Sequence, residues 1–262
     1  MAPTTSEVFI SSDWHSKPDK LPDSVRQWIR LGKKFNAKLI ANGDALDLIV
    51  LGTEAFKGCP AIKQLEQELD GYPLEMREGN HDPERMLREV VKIPFVRIIR
   101  GIDPRYDLDC CGIWWHIEHG YTRALDWSII GKFSPAVAAF MVKRFPQQWY
   151  WLMKKLGALA SDYDTKAVIR KSVTPGGGNR ITVSSVTSNE RRRYDKLVGT
   201  IHSAWVEYAE KNETNCVIGH THKAMQMRSW KGVDSVQVLD AGNLKDGSYV
   251  RLNGLGGHIR WL

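Results

Sequence analysis

Five times along this chain a short apolar run breaks off into a polar cluster built from Asp, Asn, His and Gly. The clusters are Asp13-Trp14-His15, Gly43-Asp44, Gly79-Asn80-His81-Asp82, His119-Gly120 and Gly219-His220-Thr221-His222. An apolar run bounded by turn-forming residues reads as a buried strand, and the carboxyl ends of parallel strands are where sheets gather their site residues. The pattern therefore asks for a sheet-based fold in which strands far apart in sequence end at one place.

Between the clusters the apolar spacing alternates between two periods. Glu7 to Ser12, Lys38 to Asn42, Leu74 to Glu78, Val96 to Arg100 and Gly112 to Glu118 read as strands. Ser24 to Phe35, Pro60 to Leu69 and Pro83 to Val91 read as helices, the first with Val25, Trp28, Ile29 and Phe35 on its inner side and the last with a proline suited to a helix start. This alternation, followed by a strand-rich C-terminal stretch with turns at Asp246-Gly247 and Gly254 to Gly257, predicts a sheet core covered by helices. From 121 to 199 the character changes to aromatic and basic helical sequence, interrupted by Pro135, Pro146 and a Pro-Gly-Gly-Gly loop at 175–178. That stretch is expected to be a helical cap inserted into one domain spanning residues 1–262. Tyr194, Leu197, Val198, Ile201, Trp205 and Tyr208 then fall on one face of a helix returning to the core.

Of the 262 residues 42% are hydrophobic and 26% charged, a composition that folds throughout rather than staying disordered. The net charge of +7 favours anionic partners: phosphate esters, nucleic acid or a membrane surface contacted peripherally. No apolar stretch reaches the length of a signal peptide core or a transmembrane helix, so a cytoplasmic location without a membrane span is expected. Cys59, Cys110, Cys111 and Cys216 form neither a zinc-type CxxC nor a disulfide framework, and are expected as reduced, mostly buried thiols.

Carboxylates, an amide oxygen and imidazoles converging at strand ends suit divalent manganese, iron, zinc or similar ions. Singly, each cluster has a plainer reading as a turn, a loop or a surface pair. Together they hold five of the eight histidines in one ordered set, which leaves His116, His202 and His258 as packing or surface residues.

The ordered set resembles the calcineurin-like metallophosphoesterase superfamily, whose motifs DxH, GDxxD, GNH(D/E), a His beside a glycine, and GHxH correspond here to Asp13 to His15, Gly43 to Asp47, Gly79 to Asp82, His119-Gly120 and Gly219 to His222. The resemblance spans roughly residues 7 to 250 and leaves the 121–199 insert without a motif. It implies an α/β fold of four layers, two β-sheets face to face between helices, and hydrolysis of phosphodiester or diphosphate bonds by a hydroxide bridging two divalent ions. Manganese is the expected metal, with iron, zinc and nickel as alternatives. By the same resemblance Asp13, His15, Asp44 and His222 would hold one ion, and Asp44, Asn80, His119 and His220 the other. His81 would contact the phosphate and protonate the leaving oxygen, with Asp82 orienting its imidazole and Asp47 lying behind the ligands.

The insert interleaves Trp127, Phe133, Phe140, Phe145, Trp149, Tyr150 and Trp151 with basic residues that include Arg123. Such aromatics usually pack a cap onto its core, but they could also wall a site for a phosphate ester carrying an apolar or nucleotide portion. Arg191, Arg192 and Arg193 stand near a helix start, where the dipole disfavours cations, and so suggest an anionic substrate beside the plainer reading of a solvated charge run. The insert is similar to that of the UDP-2,3-diacylglucosamine pyrophosphatase branch, whose third motif carries Arg where this chain has His81; that departure favours a more general phosphodiesterase. The alternatives are a nuclease of the same superfamily, favoured by the net charge, and a metal-free scaffold that binds protein.

Overall fold

The computed structural model describes residues 7–99, 107–120, 144, 145, 148, 168–173, 179–184, 188–231 and 234–262. Their elements run β1 (Val8–Ser11), α1 (Asp23–Lys34), β2 (Lys38–Asn42), α2 (Leu48–Leu51), α3 (Pro60–Leu69), β3 (Leu74–Arg77), α4 (Glu84–Val90), β4 (Val96–Ile99), β5 (Leu108–Cys110) and β6 (Ile113–Ile117). They continue with β7 (Val168–Val173), β8 (Asn179–Ser184), α5 (Ser188–Asn212), β9 (Asn215–Ile218), β10 (Met225–Lys231), β11 (Asp234–Asp240), a 3-10 turn Leu244–Asp246, β12 (Ser248–Asn253) and β13 (Gly256–Trp261).

The result is an α/β fold with two mixed sheets. One is ordered β13-β12-β1-β2-β3-β4, with β1 to β4 parallel and the last two strands of the chain antiparallel at its edge. The other is ordered β10-β11-β9-β6-β5, with β11, β9 and β6 parallel.

Alternation along each strand shows what covers each face. In β1, Val8 and Ile10 join a buried cluster with Trp115, Ile117, Val217 and Leu239 of the other sheet, whereas Phe9 joins the cluster of α1, α3 and α4. In β2, Ile40 takes the first side and Leu39 and Ala41 the second. Strand β9 divides likewise, Val217 toward the opposite sheet and Cys216 and Ile218 toward Ile201, Trp205 and Ala209 of α5. Side chains at period two must point to opposite faces, so a strand apolar at every position is a strand covered on both.

The expected strands and helices are present within a residue or two at each end, and β2 and α3 have the expected bounds. Both C-terminal turn signals lie at ends of β12. Pro83 is the residue before α4 rather than its first-turn residue. Phe35, expected on the inner side of α1, is instead 43% exposed at its C-terminal cap, although its ring still meets Phe9 at 5.9 Å. Within the stretch expected to be a helical cap, the described residues include an antiparallel β-ribbon, β7 with β8, whose connection is the Pro-Gly-Gly-Gly segment. Trp127, Phe133, Phe140, Trp149, Tyr150 and Trp151 lie outside the described residues. All four cysteines are free thiols, Cys111 exposed and the others buried. Among the described residues no helix is long and apolar enough to cross a membrane.

Candidate metal centre

Strands β1, β2 and β3 run parallel, so Asp13, Asp44 and Asn80 all follow strand ends on the same edge of their sheet. His119 and His220 follow β6 and β9, likewise parallel in the other sheet. Cross-links join the two edges: Asn42 Nδ2 donates to the Glu118 carbonyl at 3.0 Å, and the Arg77 guanidinium donates to the Ile117 carbonyl. Within each sheet the loops are laced together by Asp13 N–H to Gly43 O at 3.2 Å, His15 N–H to Asp44 O at 2.9 Å and Gly219 N–H to His119 O at 3.1 Å.

Backbone strain concentrates at this edge. Asp13, His15, Asp44, His220 and His222 all have φ between 42° and 72°, a left-handed conformation uncommon for residues with a side chain and costly by about 1 kcal/mol or more each. Three of the motif glycines are needed for closeness. A Cβ on Gly79 would stand 2.1 Å from Asp44 Oδ1, one on Gly43 2.5 Å from the His119 ring, and one on Gly219 2.0 Å from Ser12 Oγ.

Three sets of side-chain atoms converge closely enough to hold an ion: Asp13 with His15 and His222, Asp44 with His119 and His220, and His15 with Asp47 and His81. In the first, His222 Nε2 lies 3.2 Å from both Asp13 Oδ1 and His15 Nε2. In the second, His119 Nε2 lies 3.2 Å from Asp44 Oδ2 and 3.2 Å from Asn80 Oδ1. Asp44 Oδ2 is also 4.0 Å from His15 Nε2, which places this carboxylate between the two sets. All seven expected ligands are thus brought together.

The orientation of the rings tests whether the site suits a cation. His15 Nδ1 is 2.7 Å from Asp47 Oδ1, and His119 Nδ1 is 2.8 Å from the Asn42 carbonyl. Each Nδ1 therefore carries the proton that its acceptor requires, and each Nε2 turns inward, that of His119 toward carboxylate and amide oxygens and that of His15 toward His222 Nε2. Lone pairs facing lone pairs repel unless a proton or a metal ion lies between them, so the donor set fits divalent cations. On His119 a proton can take that place. Burial disfavours charge on His119, but the Asp44 and Asp13 carboxylates outweigh it and push its pKa up to about 10. Burial, followed by repulsion from His119, drives His220 down to about 3, keeping a neutral imidazole ready to coordinate. Burial alone would raise the Asp13 carboxyl, yet His222 and His119 hold it well below the ordinary range.

The carboxylate behind His81 is not the expected one. Asp82 is fully buried and accepts backbone N–H groups from Gly79 and Asp44 at 2.9 Å, Ala45 at 2.6 Å and Leu46 at 3.0 Å, so it shapes the two loops that meet there. Asp47 takes the orienting position, with Oδ1 3.2 Å from His81 Nδ1 as well as against His15. Their shared geometry arises because the His15 and His81 rings meet edge to face, 4.7 Å between centroids. Arg191, Arg192 and Arg193 fall near the N-terminal end of α5, as expected, and Arg123 lies outside the described residues.

Sequence reasoning missed a buried group behind the GHxH turn: Asp240 at the end of β11, with His202 and Thr221 against it. The signal was present, since the run Val236 to Leu239 ends in Asp-Ala-Gly-Asn in the same manner as the other clusters. His202, expected as ordinary packing, is 4% exposed and bonded to that aspartate. His116 keeps a packing role, stacked on Trp205 between Asp107 and Glu118.

No protein-family model matches this chain, and no curated protein does. Among solved structures, TT1561 of Thermus thermophilus aligns over 98% of this chain and 99% of its own at 10% identity, with a TM-score of 0.44. A second solved chain aligns over 98% of both at 8% identity, with a TM-score of 0.45. Likenesses this distant carry no weight for function.

Proposed function

We propose that this chain is a phosphoester hydrolase that works with two divalent cations and cleaves phosphodiesters or diphosphates. The observation that carries the reading is the pair of inward-facing Nε2 atoms, each set by an acceptor on its own Nδ1, that of His119 against the Asp44 carboxylate and that of His15 against His222 Nε2. Asp13, His15, Asp44 and His222 would hold one ion and Asp44, Asn80, His119 and His220 the other, with manganese the expected occupant. When bound, a pair of such ions lowers the pKa of a shared water and neutralises charge building on the phosphoryl oxygens. The remaining chemistry falls to the chain itself. His81 Nε2 lies 4.0 Å from Asp44 Oδ2, the carboxylate placed between the two ligand sets. Although burial disfavours its charged form, Asp44 and Asp47 more than compensate and raise its pKa, so His81 can carry a proton near neutral pH and deliver it to the departing oxygen. Asp47 keeps that ring in register with the ligands. The clusters shared between sheets and helices support the four-layer arrangement that such a site uses, in which both sheets send strand ends to one edge.

Metal-stripped protein assayed with bis(p-nitrophenyl) phosphate and p-nitrophenyl phosphate, before and after adding manganese, tests this. The expected result is manganese-dependent cleavage favouring the diester, reduced about 10²–10⁴-fold by His81→Ala, the usual contribution of a positioned general acid. Preference for the monoester would redirect the reading to a phosphatase. Absence of turnover together with absence of bound metal would defeat it.

A further inference from the structure

We infer that Thr221, Asp240 and His202 form a brace that holds His220 and His222 in metal-binding positions before any metal arrives, an inference that rests on the proposed metal centre. His220 and His222 stand on one turn after β9, at φ 72° and 57°. Two side-chain-bearing residues in left-handed backbone within three positions make a turn that relaxes unless something outside it holds it. On the site side His220 N–H donates to Asp13 Oδ2 at 3.0 Å. Behind the turn lies the residue between the two histidines. Thr221 is fully buried and points away from the ligand atoms: its hydroxyl donates to Asp240 Oδ2 at 2.5 Å and accepts from the Lys223 N–H at 3.3 Å.

Asp240 is also fully buried, and its two oxygens serve different elements. Oδ2 takes the Thr221 hydroxyl and lies 2.9 Å from His202 Nε2 on α5, while Oδ1 accepts the Gly242 N–H at 2.9 Å. The loop that follows Gly242 returns to the site, where Leu244 N–H donates to the Ser12 carbonyl at 3.2 Å, next to Asp13. One carboxylate thus ties the turn bearing His220 and His222 to α5 on one side and to the backbone beside Asp13 on the other. A carboxylate kept out of water is expensive unless fully satisfied, and here the groups that satisfy it are the ones that fix the ligand turn. Thr221 and Asp240 are positioning residues, since neither belongs to the sets of atoms that converge on the ions.

The experiment measures manganese affinity by competition with a chelator on the full chain, beside the melting temperature of the metal-free protein. Thr221→Val keeps the shape and removes the hydroxyl; Thr221→Ser keeps the hydroxyl and removes the methyl. Thr221→Val is expected to raise the dissociation constant about 10–100-fold, the usual effect of losing an outer partner of a metal ligand, and Thr221→Ser by no more than about threefold. A simple packing role predicts the reverse order, because serine leaves the larger void. His202→Gln loosens the brace from the helix side and leaves every residue of the turn in place, although His202 Nε2 lies 3.4 Å from the Thr221 hydroxyl; it is expected to weaken binding about fivefold, the worth of one hydrogen bond, and serves if Thr221→Val does not fold. Equal affinity of wild type, Thr221→Val and His202→Gln would overturn the brace alone. Failure of the wild type to bind manganese would overturn the metal centre, and the brace with it.

Discussion

Asp44→Asn is expected to lower manganese-dependent turnover by about 10³-fold or more and to weaken both cation positions at once. Its Oδ2 lies 3.2 Å from His119 Nε2 and 4.0 Å from both His15 Nε2 and His81 Nε2, so this one carboxylate faces both ligand sets and the proton donor together. An amide of the same shape keeps one oxygen but carries no charge, and several kcal/mol of charge stabilisation lost from the transition state is a factor of about 10³ in rate. The same substitution tests the electrostatics. In the wild type the Asp44 carboxylate is the foremost group holding a proton on His119 against burial, up to about pH 10. A cation must displace that proton, so manganese affinity should rise with pH through the neutral range. Without Asp44 the His119 pKa falls, and this pH dependence should flatten. Isothermal titration with manganese at several pH values reads both effects; an unchanged slope in Asp44→Asn would refute the proposed pairing.

Gly79→Ala should be among the most damaging added methyl groups at the described glycines. The added Cβ would meet Asp44 Oδ1 at 2.1 Å and Asp44 N at 2.4 Å, and the second of these is backbone that cannot swing aside. That same Asp44 N–H is pinned at 2.9 Å by Asp82 Oδ1, which also accepts the Gly79 N–H at 2.9 Å, so relieving the clash opens the bonds joining the two loops. A loss of about 3 kcal/mol is expected, as for overpacking of a tight interior, with a fall in melting temperature of about 6–12 °C and loss of manganese binding. Gly199→Ala is the matching control. It sits in α5 with open space around its Cβ position, where alanine should stabilise by about 0.8 kcal/mol through helix propensity. Thermal melts of both variants decide the matter, and a Gly79→Ala protein that melts like the wild type would show that the two loops do not approach as described.

Much of this was legible along the chain because it is local. β1 and β2 each hold three apolar residues in a row, Val8 to Ile10 and Leu39 to Ala41, and α1 and α3 carry apolar residues at helical spacing, so strands and helices could be told apart directly. The ligands were legible because each lies at a strand end beside a glycine or within two residues of another ligand. What escaped depends on distance in sequence. Asp47 and Asp82 are both acids close to the site, and only the folded loops show that Asp82 satisfies backbone N–H groups while Asp47 faces two imidazoles. Asp240 ends an apolar run like the others but has no histidine beside it, and its partners come from α5 and from the turn after β9. The ribbon of β7 and β8 went unread because β7 mixes basic and β-branched residues without alternation and the alternation in β8 covers only Ile181 and Val183.

Equilibrium dialysis of the metal-stripped wild-type chain against manganese, with elemental analysis of the bound ion, addresses the two-cation centre without any assumption about substrate. The expected result is about two ions per chain at saturation, with both held more weakly in Asp44→Asn, as a carboxylate shared between two positions requires. Saturation at one ion, or no stoichiometric binding at all, would contradict it.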